Sequence, residues 1–192
     1  LLYFLKNNKI DFLIGDSAIL FKDYVSDFNK DIKFYQASTS EMYGKVQEVP
    51  QKETTAFYPR SPYAISKVGT DLIGRYYAEA FGLKTIVTRM FTHTGPRRGD
   101  VFAESTFAKQ IALIESGQVD PIVKVGNLKS MRTFADVRDA VETYFLLLTA
   151  TNIDPGETFN IGGSYSCEVG DMLNFLITPI IGGQVHLNVI ME

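Results

Sequence analysis

The chain has 192 residues, 45% of them hydrophobic, with 19 Lys and Arg against 22 Asp and Glu; this size and mix describe about one globular domain able to bury a core. A net charge of −3 with no basic face excludes a nucleic-acid backbone as partner. The absence of a like-charge run or of 18 consecutive apolar residues excludes a membrane surface or span. Cys167 is the only cysteine, which rules out an intramolecular disulfide, and the two histidines are too far apart for a Cys/His zinc cluster, so no metal is expected. A small-molecule partner and a reducing, cytoplasmic compartment are the expectations that remain.

In chain order, "LLYFLKNNKI" lacks the basic start and cleavage site of a signal peptide and reads as the later part of a helix. "DFLIGDSAILFKDYVSDFNKD" follows as a second helical pattern, without a strand and a crossover of ordinary length between the two. The tail "ITPIIGGQVHLNVIME" likewise carries no clear terminal helix or strand. The N-terminal part of the fold is therefore expected to be incomplete, or the sequence to be joined across missing loops.

Between these ends, "IKFYQA", "KTIVTRMF", "PIVKV" and "ETFNIG" read as strands. They alternate with amphipathic segments of helical length, the pattern of an α/β domain with a parallel sheet. "SPYAISKVGTDLIGRYYAEAFG" has Pro62 suited to a first turn, an apolar set at Ile65, Val68, Leu72, Ile73, Tyr76 and Ala80, and Gly82 as a stop. "STFAKQIALIESGQ" and "DVRDAVETYFLLLTA" predict two further helices, with Ser105 and Asp136 as cap candidates.

The first long helix carries the chemistry. Tyr63 and Lys67 lie four residues apart, so they share a helix face. A phenol is a poor base at neutral pH, but an adjacent ammonium stabilises its phenolate and lets it take a hydroxyl proton. In a chain with 10 tyrosines the spacing recurs by chance too readily to stand alone. Its context adds weight, because "IKFYQA" is followed by Ser38, Thr39, Ser40 and Glu41, and ligands in parallel sheets sit at the carboxyl ends of strands.

"STSEMYG", "VQEVPQKETTAFYPRSPYA", "GPRRG" and "GNLKSMRTFADVRD" together resemble the extended short-chain dehydrogenase/reductases of the epimerase/dehydratase type, and among them the GDP-mannose 4,6-dehydratases. The resemblance spans roughly residues 33 to 175 and implies a Rossmann-like doubly wound sheet with a smaller substrate-binding portion. Residues 1–92 and 129–150 are expected in the dinucleotide-binding portion, and residues 93–128 and 151–192 in the substrate-binding portion.

The resemblance further implies an NAD(P)-dependent lyase that dehydrates a nucleotide-diphosphate hexose, GDP-mannose first among them, to its 4-keto-6-deoxy sugar. Tyr63 is then the base for the C4 hydroxyl. Lys67 stabilises the phenolate and, with Tyr63, holds the nicotinamide ribose, while Thr39 hydrogen-bonds the C4 oxygen. Transient oxidation at C4 acidifies C5, and Glu41 removes that proton as water leaves C6. Arg132 resembles the arginine that grips the diphosphate, a task for a planar guanidinium. Thr92, His93 and Arg97 complete the expected substrate contacts. Where those dehydratases carry Asn before the histidine, this chain has Thr92, which leaves the sugar nucleotide open.

The resemblance implies a homo-oligomer, dimer or tetramer. No Gly-x-x-Gly-x-x-Gly turn follows a first strand, so NAD and NADP both remain open, and a chain starting at Leu1 is expected to be inactive. Two alternatives stand beside the dehydratase: a sugar-nucleotide 4-reductase or epimerase sharing Tyr63 and Lys67, and a non-catalytic dinucleotide-binding sensor or scaffold.

Overall fold

A computed structural model describes residues 12–15, 31–178 and 188–191. The helical readings of residues 1–10 and 16–30 lie outside the described residues. The chain divides into two compact units, residues 1–91 with 138–162 and residues 92–137 with 163–192.

The first unit is built on a parallel sheet. Its strands are β1 (Phe12–Gly15), β2 (Lys33–Thr39), β3 (Thr85–Met90) and β7 (Thr158–Ile161), adjacent in the order β1-β2-β3-β7. Helix α1 (Pro62–Phe81) is the crossover between β2 and β3, and α3 (Val137–Thr149) precedes β7. This Rossmann-like α/β pattern agrees with the fold expected from the sequence. The strand β1 corrects the reading of "DFLIG" as helical: Phe12 to Gly15 pair with Lys33 to Gln36 of β2, and this tertiary pairing overrides the local pattern. Every residue of β3 is buried, as expected for a strand between two neighbours in a parallel sheet.

Local signals set the ends of α1. The Ser61 side chain accepts the Ala64 N–H at 3.1 Å, Pro62 opens the first turn, and Gly82 closes the helix at φ 70°. Its buried face, however, differs from the apolar set. Ala64, Lys67, Asp71, Gly74 and Ala78 face inward, while Ile65, Leu72 and Tyr76 are exposed. Small residues allow close approach to the sheet, and the two buried charges find partners there.

The second unit holds a three-stranded sheet of β4 (His93–Thr94), β6 (Met131–Asp136) and β8 (Tyr165–Glu168), and a parallel pair of β5 (Ile122–Val125) with β9 (Asn188–Met191). Strand β9 corrects the reading of the tail as lacking a strand, because its four residues pair with β5. Helices α2 (Ala103–Glu115) and α4 (Val169–Ile177) supply Phe107, Ile111, Ile114, Val169 and Leu173 to a core completed by Val123 and Val125. Helix α2 begins two residues before Ser105, with Phe102 at the cap position and no side-chain cap. The Ser105 hydroxyl instead donates to the Arg98 carbonyl at 3.3 Å.

The unit boundary differs from the expected division at three places, the first being Thr92, which falls in the second unit. Residues 129–137 fall in the second unit because β6 pairs with β4 and β8. Residues 151–162 fall in the first because β7 extends the sheet beside β3.

Candidate active site

The polar run Ser38 to Glu41 sits at the carboxyl end of β2. Thr39 is the last strand residue and caps a 3-10 turn, Ser40–Met42, in which its hydroxyl oxygen accepts the Glu41 N–H at 3.3 Å. That acceptance leaves the Thr39 proton available to donate elsewhere. Glu41 is exposed, whereas Ser38, Met42 and Tyr43 around it are buried, so the carboxylate projects from a rigid base.

Lys67 is buried at 6% exposure, and its ammonium donates to the Ala37 carbonyl at 2.9 Å. Ala37 lies two residues before Thr39 on the same strand, which ties the inward face of α1 to the strand end carrying Thr39 and Glu41. Tyr63 is 54% exposed, with the Lys67 ammonium 5.5 Å from its ring centroid. The expected same-face pairing of phenol and ammonium is present in space, with the phenol open to a ligand and the cation held against the sheet.

A buried ionic network, not anticipated from the sequence, lies one turn further along α1. Asp71 is 0% exposed and Arg89 of β3 is 1% exposed. Arg89 donates through Nε and Nη2 to the two Asp71 oxygens at 2.9 and 3.1 Å, and Arg75 donates to Asp71 at 3.0 Å. The remaining Arg89 nitrogen, Nη1, donates to the Tyr43 hydroxyl at 3.0 Å and the Glu53 carbonyl at 2.6 Å. Tyr43 donates onward to Asn160 Oδ1 on β7 at 2.6 Å, and the Asn160 N–H reaches the Glu53 carboxylate at 2.7 Å. Burial by itself opposes the charge on Arg89, but its hydrogen bonds to Asp71 and Tyr43 outweigh this and raise its pKa above the ordinary value. The sequence did hold a signal: two charged residues, Asp71 on the Tyr63–Lys67 face and Arg89 inside an otherwise uncharged strand, invite a buried pair.

In the second unit, Arg132 on β6 is exposed. Its one described hydrogen bond runs from Nη1 to the Met131 carbonyl at 3.1 Å, and no carboxylate among the described residues pairs with it. Arg97 is exposed in the left-handed region at φ 71°, a conformation that costs a non-glycine residue about 1 kcal/mol or more. Arg98 is held firmly by comparison: it lies 2.5 Å from Glu104, stacks 3.7 Å from the Phe102 ring centroid and donates to the His93 carbonyl at 2.8 Å. Thr92 and His93 are half-buried, and the Thr92 carbonyl accepts the Ala135 N–H at 3.0 Å. A cavity of about 400 Å³ in this unit is lined mainly by apolar groups, among them Phe134, Tyr165, Cys167 and Phe175, and none of the residues singled out for chemistry borders it.

The family model for GDP-mannose 4,6 dehydratase matches residues 18–179. A GDP-mannose 4,6 dehydratase of Dictyostelium discoideum is 42% identical over 137 residues, covering 69% of this chain and 38% of its own length. That of Homo sapiens is 45% identical over 117 residues, covering 61% and 31%. The chain thus spans less than half the length of these curated relatives. Among solved structures, RMD from Pseudomonas aeruginosa complexed with NADPH superposes with a TM-score of 0.80 at 23% identity, over 95% of this chain and 68% of that one. The dTDP-glucose 4,6-dehydratase of Bacillus anthracis in complex with NAD gives 0.76 at 22% identity, over 95% and 60%. At such identities the superpositions establish the shared fold.

Proposed function

Given that this chain belongs to the GDP-mannose 4,6 dehydratase family, we propose that the protein containing it dehydrates a nucleotide-diphosphate hexose, GDP-mannose foremost, to the 4-keto-6-deoxy sugar. The observation that carries this reading is the joint placement of Thr39 and Glu41 at the end of β2 with Lys67 buried against Ala37 of the same strand. A reductase or epimerase needs the Tyr63–Lys67 pair but no separate carboxylate for C5.

The residues present fit the nicotinamide end of a dinucleotide, NAD or NADP, through an open phenol and a buried ammonium on one helix face. When bound, that group would supply the transient oxidation at C4 and the matching reduction at C6, with no net consumption. Tyr63 accepts the C4 hydroxyl proton, with the Lys67 ammonium 5.5 Å from its ring centroid. Thr39 donates its hydroxyl proton to the C4 oxygen. Glu41 takes the proton from C5 and delivers it to the departing C6 hydroxyl, which leaves as water; C5 is then reprotonated from solvent, to which Tyr63 releases the proton it took from the C4 hydroxyl.

Arg132 is assigned to the diphosphate, since its fork has no carboxylate to answer it among the described residues. Thr92, His93 and Arg97 are assigned to the same substrate. The first unit is read as the dinucleotide-binding portion and the second as the substrate-binding portion. The uncovered apolar side chains of α1, Ile65, Leu72, Tyr76 and Phe81, support a homo-oligomer, dimer or tetramer. No helix among the described residues is long and apolar enough to cross a membrane; the protein is assigned to the cytoplasm.

The test is product analysis by mass spectrometry on the full-length protein with a panel of nucleotide hexoses. Loss of one water is the expected result. Gain of two hydrogens would identify a reductase, isomerisation without mass change an epimerase, and no reaction with any hexose a sensor or scaffold.

A further inference from the structure

Glu41 and Tyr63 stand at opposite ends of a long connection, residues 44–60, that contains no helix or strand. Loops of this length are uncommon inside compact domains unless they have work to do. Two backbone bonds close its neck, Tyr58 N–H to the Met42 carbonyl at 3.1 Å and Lys45 N–H to the Tyr58 carbonyl at 3.0 Å. Gly44 at φ 51° permits this approach, because a Cβ there would lie 1.9 Å from the Tyr58 oxygen. The neck fixes the two loop ends to each other, Ser61 leads the loop into the first turn of α1, and Lys67 holds that helix to Ala37; the interior of the loop, around Glu53, needs a further tie to α1.

Resting on the roles given above to Glu41, Tyr63 and Lys67, we propose that Arg89 is a positioning residue whose guanidinium, shared between Asp71 of α1 and the Tyr43–Glu53 side of the loop, sets the separation between Glu41 and the Tyr63–Lys67 pair. Asp71 lies four residues after Lys67 and eight after Tyr63, on the same helix face. Tyr43 directly follows the turn that carries Glu41. Four hydrogen bonds from one planar group join these elements, and the same group lies 4.6 Å from the Phe57 ring centroid, beside the neck residue Tyr58. The Nε–Nη2 edge is bidentate to the Asp71 carboxylate, and the third nitrogen, Nη1, makes both loop-side bonds, to Tyr43 and the Glu53 carbonyl, so the span needs a planar group with donors on both sides. A lysine would keep the ion pair and lose the span.

The experiment uses the full-length protein and Arg89→Lys, read two ways. In hydrogen exchange, the amides of Lys45 and Tyr58 should exchange about tenfold faster or more, with β2 and β3 unchanged. In turnover, water loss should fall tenfold to a hundredfold while substrate-dependent reduction of the nicotinamide stays within about threefold and KM changes little, since a displaced carboxylate impairs elimination rather than oxidation. Equal loss of both steps, or unchanged exchange in the loop, would overturn the proposal. Should Arg89→Lys fail to fold, Tyr43→Phe removes only the hydroxyl between Arg89 and Asn160, and it should shift both readouts the same way by about threefold; no shift in either overturns the assignment. If the wild type dehydrates no nucleotide hexose, the dehydratase reading fails, and the exchange measurement still decides whether Arg89 anchors the loop.

Discussion

In the first unit Lys67, Asp71 and Arg89 are almost fully buried and commit their charges to named partners. In the second, Arg97 and Arg132 stand exposed, and only Arg98 of the three arginines is tied down by a carboxylate. The contrast follows from what each set is assigned to do. Groups that move protons work within a few tenths of an ångström, so their supports are locked before substrate arrives. Groups that grip a polyanion keep their donors free for it, and the cost of ordering a long side chain falls due on binding.

That difference can be broken at both ends. The largest effect is expected at Tyr63: Tyr63→Phe should lower kcat by about 10²–10⁴-fold with the fold and dinucleotide affinity unchanged, checked by steady-state kinetics and a binding titration. Retention of more than about a tenth of the wild-type rate would remove Tyr63 from the role of base. Next comes the buried lattice. Asp71→Ala leaves the guanidinium of Arg89 buried without its carboxylate and should cost about 3–5 kcal/mol in denaturant unfolding. Arg75→Ala should cost under about 1 kcal/mol, because that partner is 40% exposed and screened by water.

In the second unit the expected change is in affinity rather than stability. Arg132→Lys should raise KM about tenfold with kcat within about twofold, since a point charge replaces a fork; an unchanged KM would place this arginine outside the substrate site. The smallest effect belongs to Asp100, which Lys109 at 2.6 Å holds below the ordinary carboxylate range by hydrogen bond and charge. Because its folded pKa is depressed, its contribution is present above the unfolded value, near pH 4, and fades as pH falls through the folded value. Asp100→Asn should therefore change melting only marginally at neutral pH, and the gap from wild type should close further in acid.

The legible parts of this molecule are those written in neighbouring residues. Ser61, Pro62 and Gly82 mark both ends of α1, and the four-residue step from Tyr63 to Lys67 fixes a shared face wherever the helix packs. The polar run at the end of β2 was equally readable, since a strand followed by hydroxyls and a carboxylate needs no distant information. What remained hidden depends on partners far along the chain. The apolar side chains of α1 suggested the wrong inward face, because Asp71 is buried by Arg89 and Lys67 by the Ala37 carbonyl, neither adjacent in sequence. Strands β4, β6 and β8 carry no local signal for the same reason: a two-residue strand such as His93–Thr94 exists only through its pairing with Ala135 and Asp136.

The claim that distinguishes a dehydratase from its relatives is that Glu41 removes the C5 proton in a step separate from oxidation at C4. It is tested most directly by Glu41→Gln in heavy water, following deuterium at C5 by NMR and reduced nicotinamide by absorbance. The wild type should release water and place deuterium at C5 of the 4-keto-6-deoxy product. The variant should still reduce the nicotinamide on adding substrate and then stall, with neither deuterium at C5 nor water loss, because a neutral amide cannot take that proton. Dehydration by Glu41→Gln at the wild-type rate would contradict the account and leave Glu41 a solvated carboxylate at the end of a strand.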